Sequence, residues 1–242
     1  MVKPINMKKL LSFAILSIIF IGINAQTLTS TQIDDLVNET IKTFDVPGIA
    51  VAIIKDGKTV HLKGYGVRSL DSKIPMDEKT LFGIASNSKA FTAAALAMLK
   101  EEGKLDWDDK VVDYIPEFRL YNSYVTEDFR IRDLLCHRSG MGLGSGDLMI
   151  WPDGTDFTRM DVINNLKHLK QVSPFRTKYD YDNLLFIVAG EIVGKVSGLG
   201  WEKFIEEKIM KPLEMGKSAS SFKRLDDISN VIDPHAFVEG KV

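Results

Sequence analysis

From Ser86 to Glu102 the chain reads Ser-Asn-Ser-Lys-Ala-Phe-Thr-Ala-Ala-Ala-Leu-Ala-Met-Leu-Lys-Glu-Glu, and no other stretch restricts the fold as much. Its alanines and leucine favour a helix, and Gly103 supplies the stop. Phe91, Leu96, Met98 and Leu99 leave little polar face, so this helix is expected to lie buried under other elements rather than on a surface. A composition of 45% hydrophobic and 26% charged residues supports a globular chain able to provide that cover.

The flanking elements follow from local signals. Thr29-Ser30-Thr31-Gln32 has capping-box spacing, and Ile33, Leu36, Val37, Ile41 and Phe44 then recur at helical intervals. Pro47-Gly48 stops that helix. Strand-like runs at Ile49–Ile54 and Thr59–Tyr65 flank Asp56-Gly57, a strong hairpin turn. Further helices are expected near Asp106–Phe118, Ile131–Cys136, Arg159–Leu169, Asn183–Val196 and Trp201–Met210. The glycine-rich stretch from Ser139 to Asp156 reads as loop. Few convincing strands follow Tyr65, although two strands alone are marginal in water.

The N-terminus reads as an export signal, with an uncleaved membrane anchor as the competing reading. Lys3, Lys8 and Lys9 precede an apolar run, Leu10–Ile23, of about 14 residues, short for a membrane span and suited to a signal-peptide core. Ala25 fits the position before cleavage. The expected organisation is therefore a leader over 1–25 and one domain over 26–242, periplasmic or secreted, with no stable membrane span once the leader is removed. A net charge of −2 provides no footprint for nucleic acid. Cys136 is the only cysteine, which excludes an internal disulfide, and His61, His137, His168 and His235 are too scattered for a metal site. No cofactor is implied.

Two clusters carry chemistry. Ser86-Asn87-Ser88-Lys89 opens the apolar helix, so Ser86 sits where backbone N–H groups and the helix dipole favour developing negative charge. Positions i and i+3 share a face, which brings the Lys89 amine to the Ser86 hydroxyl. A serine hydroxyl needs a neighbouring base, and a lysine set in an apolar helix is a residue that can serve. The competing reading is a capping serine with a surface lysine. Tyr181-Asp182-Asn183 lies before the second long apolar helix. There a tyrosine can relay a proton and an asparagine can hold an amide, although Tyr181 alone also fits a core aromatic.

Taken together, these segments resemble the serine β-lactamase and penicillin-binding-protein superfamily, close to class C β-lactamases and their relatives. The helix from Phe82 onward is similar to the family's active-site helix. Tyr181-Asp182-Asn183 matches its Tyr-x-Asn motif, Leu134–Met141 its Leu-Leu-x-His-x-Ser-Gly-Leu segment, and Pro212-Leu213-Glu214-Met215 its Pro-Leu-Gly-Met turn. The resemblance implies an α+β, β-lactamase-like transpeptidase fold: a helical lobe plus an antiparallel sheet of which only the N-terminal strands are present. It implies Ser86 as the acylated nucleophile, Lys89 and Tyr181 as the proton-moving groups without deciding which is the base, and Asn183 as a group that orients Lys89 or binds the substrate amide. His137 matches a family histidine read as structural. The implied partner is a small-molecule or peptide amide or ester. The family's third motif, Lys-Thr-Gly or His-x-Gly, is missing: Lys217-Ser218-Ala219 follows the Pro-Leu-x-Met turn, and His235-Ala236-Phe237 has no glycine. The expectation is a C-terminally truncated chain that is inactive or weakly active, and the alternative is a non-catalytic, penicillin-binding-like binding module.

Overall fold

The computed structural model describes residues 28–152 and 155–242, so the leader expected over 1–25 lies outside the described residues. Among the described residues the chain divides into two units, residues 28–81 with 230–242, and residues 82–229.

In the first unit, helix α1 (Ser30–Phe44) opens with the anticipated capping box, the Thr29 side chain and Gln32 each satisfying the other's backbone N–H. Strands β1 (Gly48–Lys55) and β2 (Lys58–Gly66) pair antiparallel, with Lys55 opposite Lys58. Asp56 and Gly57 both have positive φ, 51° and 71°, as a two-residue primed hairpin turn requires. Ile33, Val37 and Tyr65 form a small core, with Ile41, Ile49, Val51 and Ile53 packed against it. Leu36 and Phe44, expected on the same apolar stripe, are 54% and 72% exposed. A two-stranded sheet is narrower than the helix face laid on it, so the margins of the stripe stay wet. A polar chain also ties α1 to the sheet. Ser30 Oγ lies 3.1 Å from His61 Nδ1, His61 Nε2 lies 2.6 Å from the Tyr65 hydroxyl, and that hydroxyl donates to Asp34 Oδ1 at 2.5 Å. Burial, and then the hydrogen bond to Asp34, push the Tyr65 hydroxyl up to about 12.

The second unit is helical. Its elements are α2 (Ser88–Glu101), α3 (Val111–Tyr114), α4 (Ser123–Asp128), α5 (Ile131–Leu134), α6 (Arg159–Asn165), α7 (Leu184–Ser197) and α8 (Trp201–Ile205), the last running into a π turn over Glu206–Met210. Helices α2 and α7 pack together at its centre. Ala95, Leu96 and Leu99 of α2 are fully buried, as are Leu184, Leu185, Val188, Ala189, Ile192 and Val193 of α7. The buried alanine-rich helix is thus observed, but it begins at Ser88. Ala85–Asn87 form a 3₁₀ turn ahead of it. Helix α4 was not anticipated; Asn122 caps it by accepting from the Tyr124 and Val125 N–H groups, a signal hidden in a polar stretch. Lys217-Ser218-Ala219 and His235 lie outside the strands: Ser218 N–H closes a turn onto the Met215 carbonyl, and His235 Nε2 accepts from the Leu70 N–H. Among the described residues no single helix is long and apolar enough to cross a membrane.

Candidate active site

All four sequence-selected residues, Ser86, Lys89, Tyr181 and Asn183, converge in the second unit. Ala85 turns the chain with φ of 44°, a left-handed conformation costing an L-residue about 1 kcal/mol. That turn exposes Ser86 at the mouth of a cavity. Lys89 Nζ donates to Ser86 Oγ at 3.0 Å and to Asn183 Oδ1 at 2.8 Å. The Tyr181 hydroxyl is 2.5 Å from Ser86 Oγ on another side. The i, i+3 spacing therefore delivers the contact expected of it. Tyr179, the neighbouring alternative, stands 64% exposed with its edge toward His137.

The segment before α7 is held from several directions. Asp182 is fully buried, and its carboxylate accepts the Leu184 and Leu185 N–H groups and the Ser139 hydroxyl, capping α7. Burial nevertheless pushes its carboxyl up to about 6. His137 Nδ1 accepts the Asp182 N–H at 3.0 Å, and the imidazole stacks on the Tyr181 ring with centroids 4.4 Å apart. Burial first, and the Lys89 charge second, lower the His137 pKa, so the ring is held neutral as an acceptor. The Gly144 N–H fixes the Tyr181 carbonyl. Lys89 Nζ also lies 4.6 Å from the Tyr181 ring centroid. Hydrogen bonding to Lys89, and then to Ser86, draws the Tyr181 hydroxyl below the ordinary phenol value.

A fifth residue, Asp147, was missed at the sequence level. Its Oδ2 accepts from Asn183 Nδ2 at 3.0 Å, while Oδ1 is buried without a hydrogen-bond partner. Gly146 lets the chain pass: its φ is 78°, and a Cβ there would lie 2.5 Å from Leu184 Cδ1. The amide of Asn183 is thus pinned at both ends, with its oxygen turned to Lys89. Asp147→Ala is expected to free that amide and slow labelling of Ser86 by a fluorophosphonate about 10- to 100-fold, the worth of a hydrogen bond to a charged group. Asp147→Asn, which keeps an acceptor, should recover most of the rate. Stopped-time labelling with a fluorophosphonate reads both.

The beta-lactamase family model matches residues 33–221. The chain belongs to that family. It is 34% identical over 196 residues to the unguisins hydrolase ungD of Aspergillus violaceofuscus, covering 79% of this chain and 34% of that protein. Protein flp of Staphylococcus aureus strain N315 is 30% identical over 202 residues, covering 82% and 39%. Among solved structures, the octameric penicillin-binding protein homologue from Pyrococcus abyssi aligns with a TM-score of 0.77 at 28% identity, covering 89% of this chain and 50% of that one. The chain therefore spans between a third and a half of the length of these relatives. The α+β, β-lactamase-like fold expected from the sequence is the fold observed.

Proposed function

We propose that the protein is an exported serine hydrolase that cleaves an amide or ester through an acyl-enzyme on Ser86. The observation that carries this reading is the placement of Ser86 Oγ 3.0 Å from Lys89 Nζ and 2.5 Å from the Tyr181 hydroxyl. In the first step the Ser86 oxygen bonds to the substrate carbonyl carbon. Its proton passes to the Lys89–Tyr181 pair, whose two polar atoms flank Oγ within hydrogen-bond reach and one of which acts as the base. The tetrahedral adduct then collapses, the bond to the leaving nitrogen or oxygen breaks, and the same proton goes to the departing group. Water attacks the acyl carbon in the second step, gives one proton back through the same pair to Ser86, and releases the acid. Asn183, held by Asp147, keeps Lys89 in register throughout. The Ser86 N–H, in the 3₁₀ turn ahead of α2, is one donor to the developing oxyanion.

Export to the periplasm or beyond rests on Lys3, Lys8 and Lys9, the apolar run Leu10–Ile23 and Ala25. The substrate is a small molecule or peptide carrying an amide or ester. The test is titration with a fluorescent fluorophosphonate followed by peptide mapping. Slow labelling that ends at one probe per chain, on Ser86, is the expected result. A chain whose Ser86 stays unmodified after prolonged exposure would return the protein to the non-catalytic binding-module reading.

A further inference from the structure

The cavity that opens at Ser86 and Lys89 runs between α2 and α7 as far as Trp201 and has a volume of about 410 Å³. That is within the range of small-molecule sites, roughly 300–1,000 Å³. We infer that it is the pocket for the acyl side chain of the substrate, and that it takes a large, uncharged aromatic group. The inference rests on the hydrolase reading above and names the substrate class for it.

Three observations support the chemistry. The apolar part of the wall is aromatic and aliphatic: Phe186 and Ile187 from α7, Ile150 and Trp151 from the glycine-rich loop, and Trp201. Trp201 is rigid, since its Nε1 donates to the buried Thr92 hydroxyl at 2.9 Å and its ring lies against Gly190, where a Cβ would sit 3.3 Å from Cδ1. With its N–H satisfied inside the protein, the indole offers an apolar surface that needs no reordering when a ring binds. Trp151, by contrast, lines the same cavity as Ser86 and stands 70% exposed. A large apolar ring left in solvent at the lip of a cavity is surface that an occupant would cover.

The charges explain why the guest is neutral. Lys89 and Arg159 face the cavity, as do Asp147 and Glu191. Arg159 pairs with Glu191 and with Glu202. Asp147 is joined to Lys89 through the Asn183 amide, and its second oxygen is buried. The two signs balance on the wall, so a charged side chain would lose its hydration without gaining a counter-charge.

The test compares acylation of the full chain by p-nitrophenyl phenylacetate and p-nitrophenyl acetate, each normalised to its hydroxide-catalysed rate. The phenylacetyl ester should be favoured about 10- to 100-fold, the scale on which apolar pockets discriminate. Trp151→Ala and Ile187→Trp, one opening the pocket and one filling it, should each cut that ratio at least about fivefold. A variant that folds poorly loses both esters together and leaves the ratio intact, so the ratio reads the pocket alone. A normalised ratio near one, or a ratio unmoved by both variants, would overturn the inference. If the acetyl ester itself does not acylate Ser86, the hydrolase reading fails separately. The pocket is then read by saturation-transfer NMR on Ser86→Ala: signal from phenylacetamide, absent for acetamide and lost with Trp151→Ala, upholds it, and equal or absent signals reject it.

Discussion

Ser86→Ala is expected to abolish fluorophosphonate labelling and to lower nitrophenyl ester turnover by a factor on the order of 10³ or more, as removal of a covalent nucleophile does elsewhere. Three features make the effect large. Ser86 is exposed at the cavity mouth, whereas the groups that act on it are half-buried. Its oxygen is the shared partner of Lys89 and Tyr181, so its loss leaves both without a proton to move. The positive φ of Ala85 also aims this one hydroxyl outward, and the next serine, Ser88, already belongs to the regular helix. The measurement is turnover beside a far-ultraviolet spectrum. A Ser86→Ala variant that keeps its fold and retains more than about a tenth of wild-type turnover would remove Ser86 from the mechanism.

Arg176→Ala is expected to cost the second unit about 3 kcal/mol of stability, the lower end of the range for orphaning one member of a buried ion pair. The Asp133 side chain is 1% exposed, and Arg176 meets it twice: Nε to Oδ1 at 3.0 Å and Nη2 to Oδ2 at 2.7 Å. The same guanidinium reaches Asp128 Oδ2 at 2.7 Å and its carbonyl at 2.9 Å, and it lies 4.3 Å from the Phe175 ring centroid. These partners, Asp133 foremost, hold the Arg176 charge well above its usual range of titration. Without it, Asp133 keeps only the backbone donor of Arg130, so a buried carboxylate loses its counter-charge. Arg176 is itself about one-third exposed, which is why the lower figure applies. Urea unfolding followed by tryptophan fluorescence reads the change. Arg176→Lys should recover little, since an ammonium cannot reproduce the two-point contact. A loss below about 1 kcal/mol would class the pair with ordinary surface bridges. The Arg176 backbone N–H, which the substitution keeps, closes onto the Arg138 carbonyl in the turn that leads to Tyr181.

How much of this was legible in the residue order depends on the range of each interaction. The capping box at Thr29–Gln32, the Asp56-Gly57 turn and the Ser86–Lys89 contact are each complete within four residues, and backbone geometry alone fixes them once the element forms. The order of four family-like segments extended that reading to Tyr181 and Asn183, which lie 95 and 94 residues from their partners Ser86 and Lys89. Burial inside α2 and α7 followed from composition, since apolar helices have nowhere else to go. Other features had no local sign. Asp147 was one carboxylate in a glycine-rich loop until the fold set it against Asn183, 36 residues on. The exposure of Leu36 and Phe44 depends on how wide a sheet α1 meets, which helical periodicity cannot express. Asp182 read as the spacer of a motif, yet it caps α7 from full burial. The indole of Trp201 closes the cavity only because Gly190 and Thr92, from two other helices, receive it. Local hydrogen bonding and side-chain reach thus determined the elements and the contact between Ser86 and its lysine. The support of that pair and the shape of the pocket beside it were decided by packing between segments far apart in the chain, where no periodicity or spacing carries the information.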